Sequence, residues 1–162
     1  MPILASLETT DAGKLIAAAL VSMIPVVELR GGIPFAVGIG LQPLTAWVVC
    51  VLGNMLPVPL IVVYIRRVFR WLRVNVPRLG HWIDRLERKA HLKGRTVLKY
   101  RYLGLFLFVA VPLPGTGGWT GALVAAFLNM RLKNALASIF CGLVSAGLIV
   151  TLLTSSITAV VG

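Results

Sequence analysis

Glu28-Leu29-Arg30-Gly31-Gly32-Ile33-Pro34 interrupts an otherwise apolar stretch, residues 15–42. A second apolar stretch, 102–130, is interrupted by Pro112-Leu113-Pro114-Gly115-Thr116-Gly117-Gly118-Trp119-Thr120-Gly121. An unbroken apolar run follows each, 44–65 and 134–161. A straight helical crossing takes about 20 apolar residues, at about 1.5 Å rise each through about 30 Å of hydrocarbon. The two unbroken runs meet that requirement. The pieces beside the interruptions do not: residues 15–27 reach about 20 Å, 33–41 about 14 Å, 102–111 about 15 Å and 119–130 about 18 Å. Arms that stop inside the membrane around a Gly/Pro tip describe a re-entrant hairpin. Irregular backbone at that depth is viable only where protein buries it or water reaches it, because hydrocarbon satisfies no N–H or C=O. A second reading makes each broken segment a kinked helix that crosses fully, since Pro and Gly are tolerated within spans.

The expected fold is all-α and integral to the membrane, one membrane domain over 1–162. It comprises a first repeat (1–65; hairpin 15–42, span 44–65), a basic segment (66–101) and a second repeat (102–162; hairpin 102–130, span 134–161). Placing Pro25 on Pro112 sets Glu28-Leu29-Arg30-Gly31 against Gly115-Thr116-Gly117-Gly118. Further on, Gly53 falls near Gly142 and Cys50 near Cys141. The shared order of elements is the stronger argument for an inverted repeat.

Composition supports the membrane class: 58% of the 162 residues are hydrophobic and 13% charged, with a mean hydropathy of +0.92. The net charge is +11, and residues 66–101 hold 12 of the 16 Lys and Arg. A uniformly basic surface would point to nucleic acid; a basic block between apolar segments reads as a cytoplasmic loop under the positive-inside rule. No nucleic-acid partner is expected. With 66–101, Arg131 and Lys133 inside, span 44–65 runs inward and 134–161 outward, which puts both termini outside the cell (plasma or inner) membrane. Leu72, Val76, Leu79, Ile83 and Leu86 recur at helical spacing within the basic segment, and Pro77 is expected to break or restart that helix. The charges fix topology and anchor the chain; a second reading has them gather anionic lipid headgroups. The N-terminus lacks a basic region, and the run 15–27 ends in Glu28 and Arg30, so no cleaved signal peptide is expected. Cys50 and Cys141 lie in apolar runs and are expected to be small buried hydrophobes, with neither metal site nor disulfide. His81 and His91 have no partner motif.

Glu28 and Arg30 are the only charged residues inside either hairpin. A charge at the membrane centre costs at least about 2.5–3.5 kcal/mol on insertion scales. It survives by pairing, by reaching water or by doing chemistry. One reading is a pair that holds the tip shut. The other is a substrate and proton site, with Arg30 offering its planar fork of donors to a phosphate or carboxylate and Glu28 carrying a proton or balancing a cation. The second tip has no charge. Gly115, Thr116, Gly117 and Gly118 offer backbone N–H groups, and Thr116 and Thr120 hydroxyls, which suits an anion nest at the start of a helix. The alternative is a tight turn with close packing, since Gly117 and Gly121 have small-xxx-small spacing. No G-x-x-x-x-G-K-[ST] and no Ser/His/Asp or Cys/His set is present, so neither an enzyme nor a cofactor is expected.

The two interrupted motifs together resemble the prokaryotic small multidrug export protein family, over nearly the whole chain. That family is similar in layout to the DedA superfamily, which has paired re-entrant hairpins. The family name implies drug export. The DedA likeness implies movement of polyprenyl-phosphate or phospholipid headgroups linked to ion gradients, with Glu28 matching an acidic residue of the first hairpin. DedA-type proteins also place arginines near the second hairpin's prolines, but residues 110–116 contain none, so Arg30 would have to supply that charge.

The reading is therefore a transporter with a site between two tips, formed by Glu28, Arg30, Gly31, Gly32, Pro34, Pro112, Pro114, Gly115, Thr116, Gly117, Gly118, Trp119 and Thr120. Its expected substrate is an amphiphile with a phosphate head. The rivals are proton-coupled export of lipophilic cations, with Phe35 and Trp119 as aromatic candidates, and an accessory membrane protein without transport. Shielding two polar tips from lipid predicts a homodimer or larger homo-oligomer.

Overall fold

A computed structural model describes residues 10–75, 94–113 and 115–161. The proposed amphipathic stretch beyond residue 75, with Pro77, His81 and His91, lies outside these, as does Pro114. The described residues form helices and connecting turns, with no strand among them. The helices are α1 (Asp11–Met23), α2 (Glu28–Gly38), α3 (Pro43–Met55), α4 (Val58–Asn75), α5 (Gly94–Ala110), α6 (Gly118–Phe127) and α7 (Leu132–Val161). Pro43–Val68 and Leu132–Ile157 are each long and apolar enough to cross a membrane. The first of these is interrupted at Leu56 and Pro57, where Pro57 supplies no N–H to the carbonyl four residues back. Helix continues past Arg66-Arg67 to Asn75, so the basic pair ends the apolar run but not the helix.

The first broken segment breaks earlier than its composition suggests, and the second breaks close to the expected place. The first gap is Ile24 to Val27, and Glu28 through Pro34 form the first two turns of α2. Pro34 lies inside the helix, faces outward, and supplies no N–H to the carbonyl of Arg30. Gly31-Gly32 does not break the helix; Gly32 is a packing position, where a Cβ would lie 3.0 Å from the Cβ of Ser22 and 3.3 Å from Cys50 Sγ. In the second segment the gap runs from Val111 to Gly117, and Gly118-Trp119-Thr120-Gly121 is already helical.

The same contacts recur in the two halves. α2 ends with Leu41 N–H on Ala36 O and Gly40 in the left-handed region (φ 88°); α6 ends with Met130 N–H on Ala125 O and Asn129 there (φ 47°). A Cβ at Gly32 would meet Ser22 and Cys50, and one at Gly121 would meet Val109 and Ile139. A Cβ at Gly53 would meet Ser22 and Ala19, and one at Gly142 would meet Val109 and Phe106. First arms therefore correspond at a spacing of 87 residues (Ser22 with Val109, Ala19 with Phe106), and second arms and long helices at 89 (Gly32 with Gly121, Gly53 with Gly142). The second tip is two residues longer. Cys50 accordingly corresponds to Ile139; Cys141 falls on the outward face of α7 and is exposed, whereas Cys50 is buried as expected.

The core is shared by both halves. Leu29, Ile33, Val58, Val109, Ile139 and Leu143 belong to one buried cluster. α2 packs on α7 and α6 packs on α4, so each second arm lies against the long helix of the other half. That exchange brings the two tips together.

Candidate functional site

α2 starts at the first tip and α6 at the second, and the side chains of one meet the start of the other. Glu28 is the first residue of α2 and lies in the left-handed region, at φ 49°. Non-glycine residues seldom take that conformation, and here it directs the side chain toward α6. The carboxylate is buried, with 6% of Glu28 exposed. It rests on Gly117, where any Cβ would overlap it, and its Oε1 accepts a long contact from Trp119 N–H at 3.4 Å. A carboxylate at the first turn of a helix is favoured by the unpaired N–H groups and the dipole.

Arg30 leaves the same turn in another direction. Its Nη2 donates to Thr116 Oγ1 at 2.8 Å and, at 3.4 Å, to the carbonyl of Val111. Thr116 Oγ1 itself lies 2.7 Å from Val111 O and 3.0 Å from Leu113 O, which it can serve as donor. The guanidinium thus reaches the residues flanking Pro112, where the second hairpin has no arginine of its own. No ion pair links Glu28 to Arg30 among the described residues; each charge crosses to the opposite tip. Trp119, which corresponds to Arg30, makes the reciprocal reach: its Nε1 donates to Met23 O at 3.0 Å, at the end of α1. Each half therefore holds the other's first arm by its final carbonyls.

The remaining predicted residues divide into two groups. Gly115 (φ 85°) makes the second turn possible and is exposed, and Pro112 is half-buried beside it. Gly117 and Gly118 are buried where the tips meet. Thr120 turns back on its own helix, its Oγ1 accepting from Gly117 N–H at 2.9 Å, so its hydroxyl serves the local turn. Gly31 and Gly32 face Val27 and Ser22 and contribute to packing, and Pro34 faces outward, so none of the three belongs to the junction. Phe35 and Trp119 lie in different elements with no ring pair between them among the described residues.

One residue at the junction was not anticipated. Asn54, on α3, is fully buried (0% exposed), and both its Oδ1 and Nδ2 are without partners. Its Oδ1 lies against Gly118, where an added Cβ would approach to 2.6 Å. Burying an unpaired amide group costs about 1–3 kcal/mol. The signal available in the sequence was a lone amide within the apolar run 44–65.

An apolar groove of about 650 Å³ lies between α4 and α6, lined by Leu60, Val63, Tyr64, Leu123 and Trp119, with Arg67 also in its lining. Trp119 connects this groove to the junction, because its ring lines the groove while its backbone N–H meets Glu28. Among the described residues no cluster of His, Cys, Asp and Glu is arranged to hold a metal.

Neither a curated protein nor a solved structure matches the chain. One protein family does, over residues 28–149, a stretch that begins at Glu28, just after the first tip, and takes in the second tip and most of α7. The chain belongs to that family, described as "Putative small multi-drug export protein".

Proposed function

We propose that this protein is a secondary transporter whose substrate site lies where the two tips meet. Glu28 is its proton-coupling group and Arg30 its anion-binding group. The observation that carries the reading is that both intramembrane charges cross to the opposite tip and do not pair with one another. A pair serving only to close its own tip would satisfy itself locally. The preferred substrate is an amphiphile with a phosphate head, such as a polyprenyl phosphate or a phospholipid. Arg30 uses one nitrogen in its protein contacts, which leaves donors of its fork for a second ligand. The reading includes no catalytic chemistry and no cofactor.

Two re-entrant hairpins in opposite orientation form the scaffold of this proposal. Its supports are the recurring caps, the recurring glycine contacts and the exchange of second arms. Opposite orientation gives each tip access from one side, so rocking one half against the other would expose the junction alternately. The basic segment 66–101 lies on the cytoplasmic side, where it also attracts anionic headgroups. The tips cover Glu28 within a single chain, but Leu113 and Gly115 remain exposed at the rim. Shielding that rim from hydrocarbon is the reason for proposing a homo-oligomer.

A second reading, export of lipophilic cations in exchange for protons, is favoured by Glu28. Its carboxylate makes no ion pair among the described residues, and the family description names drug export. Substrate-induced thermal stabilisation of wild type, Glu28→Gln and Arg30→Ala separates the two. Stabilisation by polyprenyl phosphate that disappears in Arg30→Ala is the expected result. A response only to a lipophilic cation, lost in Glu28→Gln, would replace the phosphate reading. No response from folded wild type would favour an accessory protein.

A further inference from the structure

Asn54 and the first turn of α6 meet at a place the transport reading leaves unexplained. The amide is fully buried, has no partner on either atom, and lies against the helix start at Gly118. Glu28 already rests on the preceding residue, Gly117, and on Trp119 N–H. The molecule supplies its own control for what the fold requires. The position corresponding to Asn54 is Leu143, equally buried in the shared core. A leucine fills this place in one half, so packing does not demand an amide in the other.

We infer that Asn54 and the first turn of α6 form an oxyanion site, which Glu28 fills in the resting state and the anionic head of a substrate takes over. The inference rests on the proposed site between the tips. A helix start favours an anion, and an amide offers both donors and an acceptor to a hydrogen phosphate group. Carboxylate and phosphate compete for the same N–H groups, so the arriving anion displaces Glu28. The displaced carboxylate takes one proton from water, and the charge of the site is preserved. Substrate binding and proton uptake are thereby the same event, and by linkage the anion binds more tightly as pH falls. Arg30 is the charged group acting on Glu28. α3 and α6 carry no charged side chain, Asp11 and Lys14 of α1 lie at the end remote from the tip, and Lys133 lies at the start of α7. The arginines of α4 begin at Arg66, which reaches Met130 O beyond the far end of α6. Cys50, the titratable group of α3, is turned to Ala18 O.

The test is binding of dodecyl phosphate, inorganic phosphate and tetraphenylphosphonium to purified full-length protein. Wild type, Asn54→Leu and Glu28→Gln are compared across a pH series. The expected result is that wild type binds dodecyl phosphate more tightly at lower pH and that Glu28→Gln binds it with little pH dependence. Asn54→Leu should fold as stably as wild type and lose about tenfold or more in affinity. Binding of inorganic phosphate with the same pattern would assign the site to the phosphate group alone; binding of dodecyl phosphate only would add the chain. Folded Asn54→Leu with wild-type affinity would overturn the inference, and so would failure of that variant to fold, which would make the amide a requirement of packing. Binding of tetraphenylphosphonium alone, lost in Glu28→Gln and intact in Asn54→Leu, would also overturn it, while leaving a transport site at the tips standing.

Discussion

The two halves of the proposed repeat have matching cap and glycine contacts and differ in chemistry. Caps, packing glycines and arm exchange recur at matched positions. Yet the first half carries Ser22, Glu28, Arg30, Cys50 and Asn54 where the second carries Val109, Gly117, Trp119, Ile139 and Leu143. The second half demonstrates that apolar or small residues suffice at those places for packing. On the proposed reading, the charged and amide side chains of the first half answer to transport and not to the fold. At the junction one half supplies side chains and the other supplies backbone N–H groups, hydroxyl and glycine surface.

The shared plan breaks most severely at the packing glycines. Gly53→Val and Gly142→Val should each destabilise the protein by about 1–3 kcal/mol or more, because a Cβ meets backbone oxygen or an opposing Cβ within about 3 Å in both halves. Thermal or denaturant unfolding of the two variants should give similar losses; a large loss from one alone would separate the halves structurally. Exchanging the polar residue at the matched core position should have opposite signs. Leu143→Asn buries an amide and should cost about 1–3 kcal/mol, whereas Asn54→Leu should be neutral or stabilising in the absence of substrate. Equal losses from both would contradict the account of Asn54.

Gly117→Ala should be rescued in part by Glu28→Ala, because the three atoms nearest the new methyl all belong to the Glu28 carboxylate. A double-mutant cycle in unfolding measures that coupling, expected at about 0.5–3 kcal/mol. Simple additivity would deny the contact between the tips. The smallest effect should come from Pro34→Ala. Pro34 faces outward and away from the junction, so the change restores one N–H and should leave substrate binding unaltered.

Much of this architecture is legible in the sequence. Run length identified both long apolar helices. The start of the first half's second arm was misplaced because Gly31-Gly32 and Pro34 resemble helix breakers. In the folded chain those glycines admit close neighbours and the proline lies inside the helix, while the actual break falls just after Met23. Glu28 and Arg30 were recognisable because charge in an apolar run demands a reason. Their partners were not, because pattern alone cannot say whether two residues on one turn meet each other or diverge. Asn54 was hidden by its neutrality, and only its match with Leu143 makes it conspicuous.

The most direct test of the central claim, that the polar residues of the first half serve transport and not folding, is substrate flux in proteoliposomes with a pH gradient. Wild type, Glu28→Gln and Arg30→Ala would be compared at matched amounts of verified folded protein, with Trp119→Phe as the second-half counterpart of Arg30. The account predicts that Glu28→Gln and Arg30→Ala remain folded and lose flux by about tenfold or more, while Trp119→Phe, which loses its bond to Met23 O and part of its ring in the groove, transports at a reduced rate. Wild-type flux from Glu28→Gln and Arg30→Ala would contradict it, as would loss of folding in step with loss of flux.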